Sequence, residues 1–277
     1  MTSTTPHPPG ERIARSHRVG AAAEAVPGTV YLVGAGPGDP SLLTLRARDL
    51  LASSDIVVYD HLVNPVLLGH APASAHREYA GKVGHGVQHA QHEIEQRLIA
   101  CARRQLRVVR LKGGDPLLFG RGGEEALALA RAGVPYEIVP GVSSALAAPA
   151  YAGIPLTQRG IASSVAIVAG HCARECNRLH ITTAGADTIV VLMGLANMRL
   201  IARRLIEAGR AVDTPAAAIQ WATHGNQRVI TGTLGTLPDA MGRHALSPPA
   251  VIVVGEVVRL RDVLAWFDEC REPATLM

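Results

Sequence analysis

Gly34-Ala35-Gly36-Pro37-Gly38-Asp39-Pro40 is the stretch of this 277-residue chain that decides the fold. It follows an apolar run at residues 29–33 and precedes apolar residues at helical spacing over 42–51, with Ser41 as the expected N-cap. This order predicts a strand, a glycine-rich turn and a helix. Because glycine has no Cβ, such a turn lets backbone N–H and C=O groups come close to a ligand.

Two further glycine-rich turns follow apolar runs. Gly113-Gly114-Asp115-Pro116 comes after the run at 107–111, and Pro140-Gly141 comes after the run at 136–139. In open α/β sheets, ligands bind at the carboxyl ends of the strands. Three glycine-rich turns at this edge therefore predict a nucleoside-containing cofactor that lies across the strand ends.

The first half of the chain alternates apolar runs with helical patterns. A further apolar run at 55–59 and helical patterns at 94–103 and 124–132 complete this half. Strands that alternate with helices predict a mostly parallel sheet.

The pattern changes after Pro140. We predict a helix of small residues at 143–151, and then further strands and helices (strands 165–169, 188–193, 216–219, 228–231 and 250–254; helices 198–208 and 260–267). Gly225-Asn226 suits a hairpin, so we expect this second α/β sheet to be mixed. The predicted organisation is a flexible tail at 1–27, an N-terminal α/β domain at 28–142 and a C-terminal α/β domain at 143–277.

Composition excludes several classes of protein. The chain is 48% hydrophobic and 18% charged, which predicts a globular protein with a sizeable core. No apolar run reaches the ~18–20 residues of a spanning helix, and the first 27 residues have no apolar signal core. We therefore expect a cytoplasmic protein whose four cysteines remain thiols. A net charge of +4 with 3% aromatic residues favours neither nucleic acid nor membrane as a partner.

The first glycine-rich turn also invites a dinucleotide-binding interpretation. The G-x-G-x-x-G fingerprint needs a third glycine at position 39, where this chain has Asp39, and Pro37 stiffens the loop. A carboxylate at that position would repel a phosphate. A nucleotide-binding oxidoreductase therefore stays only as an alternative.

Eight motifs carry a family resemblance, in this order: Val33-Gly34-Ala35-Gly36-Pro37-Gly38-Asp39-Pro40, Val57-Val58-Tyr59-Asp60, Gly81-Lys82, Val108-Val109-Arg110-Leu111-Lys112-Gly113-Gly114-Asp115-Pro116, Phe119-Gly120-Arg121-Gly122-Gly123-Glu124-Glu125, Pro140-Gly141-Val142-Ser143-Ser144-Ala145, Gly153-Ile154-Pro155-Leu156-Thr157 and Pro249-Ala250-Val251-Ile252-Val253-Val254-Gly255. Together they resemble the tetrapyrrole methyltransferases from about residue 28 to 258. Within that family, the resemblance is greatest to the members that methylate uroporphyrinogen III.

The resemblance implies a fold, a cofactor and a reaction. The fold would be two α/β domains with S-adenosylmethionine in the cleft between them, and S-adenosylhomocysteine would be the product. The reaction would be C-methylation of uroporphyrinogen III at C2 and C7 to give precorrin-2, for sirohaem, cobalamin or haem d1 biosynthesis. The resemblance also implies a homodimer. Of the activities found in longer members of the family, only the methylation step is expected. Another precorrin methyltransferase of the same fold, or a paralogue that binds the cofactor without turnover, are the alternatives.

The resemblance also implies roles for particular residues. Asp60 and Lys82 would be the proton acceptor and the proton donor. Substrate carboxylates would be bound by Arg121 and Arg159, with Glu124 and His171 nearby. The cofactor would be held mostly by backbone groups, at Pro37, Gly113, Gly114, Asp115, Leu118, Ser143, Ser144, Met193, Ala222, Pro249 and Ala250.

The chain departs from the family pattern at several of these motifs. Val83 follows Lys82 where the family usually has arginine, and Gln220-Trp221-Ala222-Thr223 stands where Glu-Arg-Gly-Thr is usual. Gln158 replaces a common histidine, and Leu192 a common tyrosine. These departures leave open which tetrapyrrole is methylated, and in which order.

Two groups of residues have the spacing of metal ligands. They are His171, Cys172, Cys176 and His180, and the helical stripe of His85, His89 and His92. Methyl transfer from a sulfonium requires no metal, so we expect none at either place.

Overall fold

The first half of the chain forms a five-stranded parallel sheet. The computed structural model describes residues 24–81, 91–170 and 185–267. The spatial order of the strands is β3-β2-β4-β1-β5, and every pairing is parallel, as predicted. The strands are β1 (Val30–Gly34), β2 (Ile56–Tyr59), β3 (His76–Tyr79), β4 (Val108–Lys112) and β5 (Tyr136–Val139).

Helices cover both faces of this sheet. Side chains alternate between the two faces along a strand, so β4 presents Val109 and Leu111 to one face and Val108 to the other. Helix α1 (Leu45–Ala52) packs on the first face. Helices α2 (Gln91–Arg103) and α3 (Gly122–Arg131) pack on the second.

The second sheet also has five strands, and it is mixed, as predicted. Its order is β6-β7-β10-β8-β9; only β6 and β7 pair in parallel, and the other pairs are antiparallel. The strands are β6 (Val165–Ala169), β7 (Thr188–Leu192), β8 (Pro215–Gln220), β9 (Arg228–Thr233) and β10 (Ala250–Val254). The turn containing Gly225-Asn226 joins β8 to β9, which confirms the hairpin.

Among the described residues, the α-helices that accompany the second sheet are α4 (Ser144–Tyr151), α5 (Met198–Glu207), α6 (Leu237–Arg243) and α7 (Arg261–Leu264). Helix α4 packs through Ala145 and Ala148 against Val190 and Val253 on one face of the sheet. Helices α5 and α6 pack on the other face. The domain boundary at residue 143 stays a prediction, although α4 shares its core with the second sheet. In the described ranges, no helix is long and apolar enough to cross a bilayer.

Several predicted boundaries were wrong. Ser41 does not cap α1: Pro40–Leu42 is a short 3-10 helix capped by the Asp39 carboxylate, and the Thr44 hydroxyl accepts the Ala47 N–H at the start of α1. The last predicted helix ends at Leu264 instead of 267. Neither β3 nor α6 was predicted, because β3 is a polar edge strand and α6 is short and begins with Leu237-Pro238.

The three glycine-rich turns pack against one another through their backbones. A Cβ added at Gly34 would lie 2.5 Å from the Gly141 nitrogen, and one added at Gly141 would lie 2.3 Å from the Gly114 oxygen. Gly36 and Gly114, both at positive φ, exchange two backbone hydrogen bonds of 3.2 and 2.7 Å. The turns after β1, β4 and β5 can therefore meet only because side chains are absent there.

We predict that Gly141→Ala destabilises the protein. Overpacking a core commonly costs about 1–3 kcal/mol, and here the atoms that must move are backbone, so the cost lies at the upper end or above. Gly123→Ala is the matched control, because nothing lies within 4 Å of its added Cβ. Urea unfolding of both variants measures the difference, and equal stability would contradict this account of the turns.

Candidate functional site

Strand ends of the first sheet form one edge of the site. The turns after β1, β4 and β5 carry Pro37, Gly113-Gly114-Asp115 and Ser143-Ser144. Asp60 follows β2 at the same edge, and its backbone N–H donates to the Leu111 oxygen at 3.2 Å. Parallel pairing is what brings these four strand ends together.

Strand ends of the second sheet form the other edge. Because β10 runs antiparallel to β7 and β8, its start lies beside their ends, with Val251 opposite Leu192 and Ala250 opposite Gln220. The Trp221 N–H donates to the Pro249 oxygen at 3.1 Å. Met193, Ala222, Pro249 and Ala250 are thereby brought to one edge.

Hydrogen bonds join the two edges. The Asp39 N–H donates to Thr223 Oγ1 at 3.0 Å, and the Tyr151 hydroxyl donates to Asp39 Oδ2 at 2.8 Å. The buried Gln227 holds the second edge in place, accepting the Thr223 N–H and donating to the Tyr151 oxygen. The glycine-rich turn after β1 is therefore fastened to the turn after β8, and we call the region between the two edges the junction.

The predicted cofactor-binding residues lie along this junction. All of them except Ser143 and Ala222 are at least partly exposed. Leu118 packs against the core of the second sheet. Ser143 caps α4, its hydroxyl accepting the Ala145 N–H at 3.2 Å.

Asp115 holds its own turn together. Its Oδ1 accepts the N–H groups of Leu117 and Leu118, and its Oδ2 accepts the Gly141 N–H at 3.1 Å. The role of Asp115 in holding the cofactor stays a prediction. In the structure its carboxylate ties the turn after β4 to the turn after β5, so it shapes the edge.

Strained backbone is concentrated in the turns around the junction. Within the described ranges, seven non-glycine residues have positive φ, and five of them lie there, namely Phe119, Arg121, Met193, Trp221 and Thr223. Each such conformation costs on the order of 1–3 kcal/mol, and such strain is found most often at functional sites. This distribution favours the junction as the functional site independently of any motif.

Asp60 belongs to a largely buried cluster of charged side chains. Its Oδ1 lies 2.5 Å from Arg110 Nη2 and its Oδ2 lies 3.8 Å from Lys112 Nζ. Both cations also contact Glu125 Oε1 of α3, at 3.1 and 3.0 Å. The side chains of Arg110, Lys112 and Glu125 are 2%, 2% and 0% exposed, against 30% for Asp60.

Burial and charge affect the two cations differently. Burial lowers the pKa of Lys112, and the neighbouring Arg110 lowers it further, against the attraction of Glu125 and Asp60. Burial also acts to lower the pKa of Arg110, but Asp60 and Glu125 outweigh it and the pKa of Arg110 is raised. Arg110 is therefore the permanent cation of the cluster.

Arg110, Lys112 and Glu125 were not predicted as site residues. The sequence pattern contained a sign of the first two, because charged residues two apart in an apolar strand share one face. That face is covered by α2 and α3, so the charges must be paired inside the protein.

The predicted substrate-binding residues are only partly brought together. Arg121 and Glu124 form an exposed ion pair of 2.6 Å at the start of α3, which raises the pKa of Arg121 and lowers that of Glu124. Arg159 is exposed in the turn between α4 and β6. His171 and Lys82 lie outside the described residues, so their roles stay predictions.

The possible metal ligands fall mostly outside the described parts of the chain, His92 excepted. His92 lies 3.8 Å from Glu95 on α2. Within residues 24–81, 91–170 and 185–267, no group of three or more His, Cys, Asp or Glu side chains is arranged to hold a metal ion.

The hydrogen bond between Tyr151 and Asp39 makes the junction sensitive to pH. Burial and this hydrogen bond raise the pKa of Tyr151 to about 12. Burial acts to raise the pKa of Asp39, but hydrogen bonds from Ser41 and Tyr151 outweigh it, so the pKa of Asp39 is lowered. The pKa of the neighbouring His224 is lowered by burial, against the attraction of Asp39.

We predict that Tyr151→Phe lowers the unfolding free energy by about 1–3 kcal/mol at neutral pH, because a hydrogen bond to a carboxylate is lost. The ring contacts with Trp266 and Phe267 remain. Because the pKa of Tyr151 is raised in the folded protein, its hydroxyl stabilises the fold fully below the unfolded pKa of about 10. The difference in unfolding free energy between wild type and variant should therefore shrink as pH rises from about 10 towards 12. It should also shrink as pH falls below about 4, where the carboxyl of the unfolded chain takes up a proton while the lowered pKa of Asp39 keeps the folded carboxylate charged. Urea unfolding from pH 3 to 11 measures the difference; a pH-independent difference would contradict the prediction.

Comparisons with known proteins agree with this architecture. Siroheme synthase from Pseudomonas putida is 49% identical over 245 residues, which are 87% of this chain and 52% of that protein. The chain thus spans about half the length of the curated relatives it matches.

Two solved structures extend the comparison. Uroporphyrin-III C-methyl transferase from Thermus thermophilus, complexed with S-adenyl homocysteine, is 42% identical with a TM-score of 0.71, over 84% of this chain and 99% of that one. Cobalt precorrin-4 methyltransferase is 29% identical with a TM-score of 0.73, over 83% and 96%.

The family assignment rests on the greater part of the chain. Residues 29–238 match the Tetrapyrrole (Corrin/Porphyrin) Methylases. This match favours the methyltransferase interpretation over the oxidoreductase alternative. The chain belongs to the tetrapyrrole methylase family.

Proposed function

We propose that the chain catalyses the S-adenosylmethionine-dependent C-methylation of uroporphyrinogen III at C2 and C7, giving precorrin-2. The observation that supports this proposal is the junction, where strand ends of two sheets are joined by the hydrogen bonds of Asp39 with Thr223 and Tyr151. The Thermus thermophilus enzyme of the same fold is similar over nearly its whole length and was crystallised with S-adenyl homocysteine.

The residues at the junction fit such a cofactor. The first edge is built from glycine-rich turns, in which Gly113 and Gly114 are partly exposed. Met193 is about half exposed at the second edge and offers an apolar contact. When bound, S-adenosylmethionine supplies a methyl group on a sulfonium, so transfer to an electron-rich pyrrole carbon requires mainly positioning and exclusion of water.

The charged groups around the junction suit the substrate. Uroporphyrinogen III carries eight carboxylates, and an arginine guanidinium binds a carboxylate through two parallel hydrogen bonds. Arg121 and Arg159 are the exposed guanidinium groups for that task, with Glu124 setting the orientation of Arg121. Asp60 accepts the proton that the ring loses after methylation, and Lys82 and His171 complete the proposed set.

The remaining parts of the proposal concern assembly and location. We propose a homodimer in the cytoplasm, serving sirohaem, cobalamin or haem d1 synthesis. Family membership supports the homodimer. Light scattering of the purified chain measures its oligomeric state directly.

A second candidate is a later corrin-ring methyltransferase. The likeness to cobalt precorrin-4 methyltransferase, with a TM-score of 0.73, favours it, and Ala222 stands where a glycine is usual. The lower identity of 29% against 42% makes uroporphyrinogen III the preferred substrate.

We predict that anaerobic incubation with uroporphyrinogen III and S-adenosylmethionine adds one or two methyl groups to the tetrapyrrole. Mass spectrometry of the product measures the addition. Binding of S-adenosylhomocysteine without any methylation would contradict the proposed substrate, and it would favour a corrin intermediate or a non-catalytic paralogue.

We predict that Arg121→Ala lowers kcat/KM for uroporphyrinogen III by about 10- to 100-fold, since a charge-assisted hydrogen bond is lost. The affinity for S-adenosylhomocysteine should stay near that of the wild type. Arg259→Ala is the matched control: Arg259 is an exposed arginine paired at 2.9 Å with a glutamate three residues away, beyond the far end of β10. Equal activity of both variants would assign Arg121 to the solvated surface.

A further inference from the structure

Three charged side chains between the first sheet and its helices are buried, although the proposed reaction does not use them. Arg110 and Lys112 lie on the face of β4 that α2 and α3 cover, and Glu125 projects from α3. Around them the core is apolar, with Val58, Ile94 and Leu129 among its members. Taking charges out of water costs several kcal/mol each, so this cluster needs an explanation.

The cluster is organised around a single oxygen. Glu125 Oε1 contacts Arg110 Nε at 3.1 Å and Lys112 Nζ at 3.0 Å, and it accepts a hydrogen bond from Gln91 Nε2 at 3.3 Å. Glu125 Oε2 has no hydrogen-bond partner in the part of the chain that the structure describes. Both cations therefore contact the same atom, Glu125 Oε1. This shared contact determines where the Arg110 and Lys112 side chains lie.

Both cations reach Asp60 as well. Arg110 approaches Oδ1 and Lys112 approaches Oδ2, so each carboxylate oxygen faces a different cation. Asp60 is the one member of the four with an exposed part, and it lies at the junction. The side chains of the cluster therefore meet the site at the carboxylate of Asp60.

We propose that Lys112 and Glu125 are positioning residues, which with Arg110 hold the Asp60 carboxylate in a fixed orientation at the junction. The inference rests on the proposed function, in which Asp60 accepts a proton from the substrate. Glu125 places the two cations, and the cations place the two oxygens of Asp60.

A purely structural role would not require this arrangement. Replacing a buried ion pair by apolar residues of similar volume is often neutral or stabilising, whereas removing one partner alone is strongly destabilising. The effect of the pair on stability can therefore be separated from its effect on the orientation of Asp60 by replacing Lys112 and Glu125 together. The double replacement removes one positive and one negative charge, so Arg110 stays paired with Asp60 and the net charge of the cluster stays zero.

The experiment compares Lys112→Met, Glu125→Gln and the double variant with the wild type. Each single variant should have a lower thermal midpoint, and the double variant should recover much of that loss. If the pair positions Asp60, kcat of the double variant should remain about 10- to 100-fold below that of the wild type. Its KM for uroporphyrinogen III and its affinity for S-adenosylhomocysteine should stay within about threefold of the wild-type values, since ground-state binding is not altered.

A matched control lies at the opposite ends of the same two strands, β2 and β4. Arg107 Nη2 and Asp55 Oδ1 form an ion pair of 2.7 Å before the starts of β4 and β2, at the edge away from the junction. The double variant Asp55→Asn/Arg107→Met should change the thermal midpoint and leave kcat at the wild-type value.

The outcomes distinguish this inference from the proposed function. A double variant of Lys112 and Glu125 that regains kcat together with stability would overturn the positioning role while the methylation activity stands. A wild-type protein that transfers no methyl group to uroporphyrinogen III would overturn the proposed function and this inference with it. A low kcat with recovered stability and unchanged binding supports the positioning role.

Discussion

The contact between the backbones of Gly34, Gly114 and Gly141 is the constraint on which the rest of the site depends. Three parallel strands end where their turns come closer than any Cβ would allow. The Asp115 carboxylate then ties two of these turns together by accepting the Gly141 N–H. One edge of the functional site is therefore made of main chain, which suits a cofactor recognised mostly through backbone groups.

Charge lies beside this main-chain edge. Strand β2 is the neighbour of β4, and the carboxylate of Asp60 follows its end. The buried cations Arg110 and Lys112 of β4 pair with the Asp60 carboxylate. Both cations also pair with the buried Glu125 of α3. The exposed guanidinium of Arg121 begins the helix that carries Glu125, so one helix links the substrate-facing surface to the buried cluster.

Much of this architecture could be predicted from the sequence, because apolar runs and glycine-rich turns reflect the strands and their ends directly. The parallel first sheet, the mixed second sheet and the hairpin after β8 are confirmed. Polar β3 was missed because an edge strand with exposed side chains has no apolar alternation. The buried partners of Asp60 were missed for a different reason: they are brought together by strand pairing and helix packing, across 65 residues of sequence from Asp60 to Glu125. The spacing of Arg110 and Lys112 indicates that they share one face of β4, but it does not show which carboxylates pair with them.

The most direct test of the account is a crystal structure of the chain with S-adenosylhomocysteine. The account predicts that the ligand lies at the junction, in contact with the turn after β1 at Pro37, with the turn after β4 at Gly114, and with Met193 and Ala222 of the second edge. A ligand bound away from both edges, or in contact with one sheet only, would contradict it.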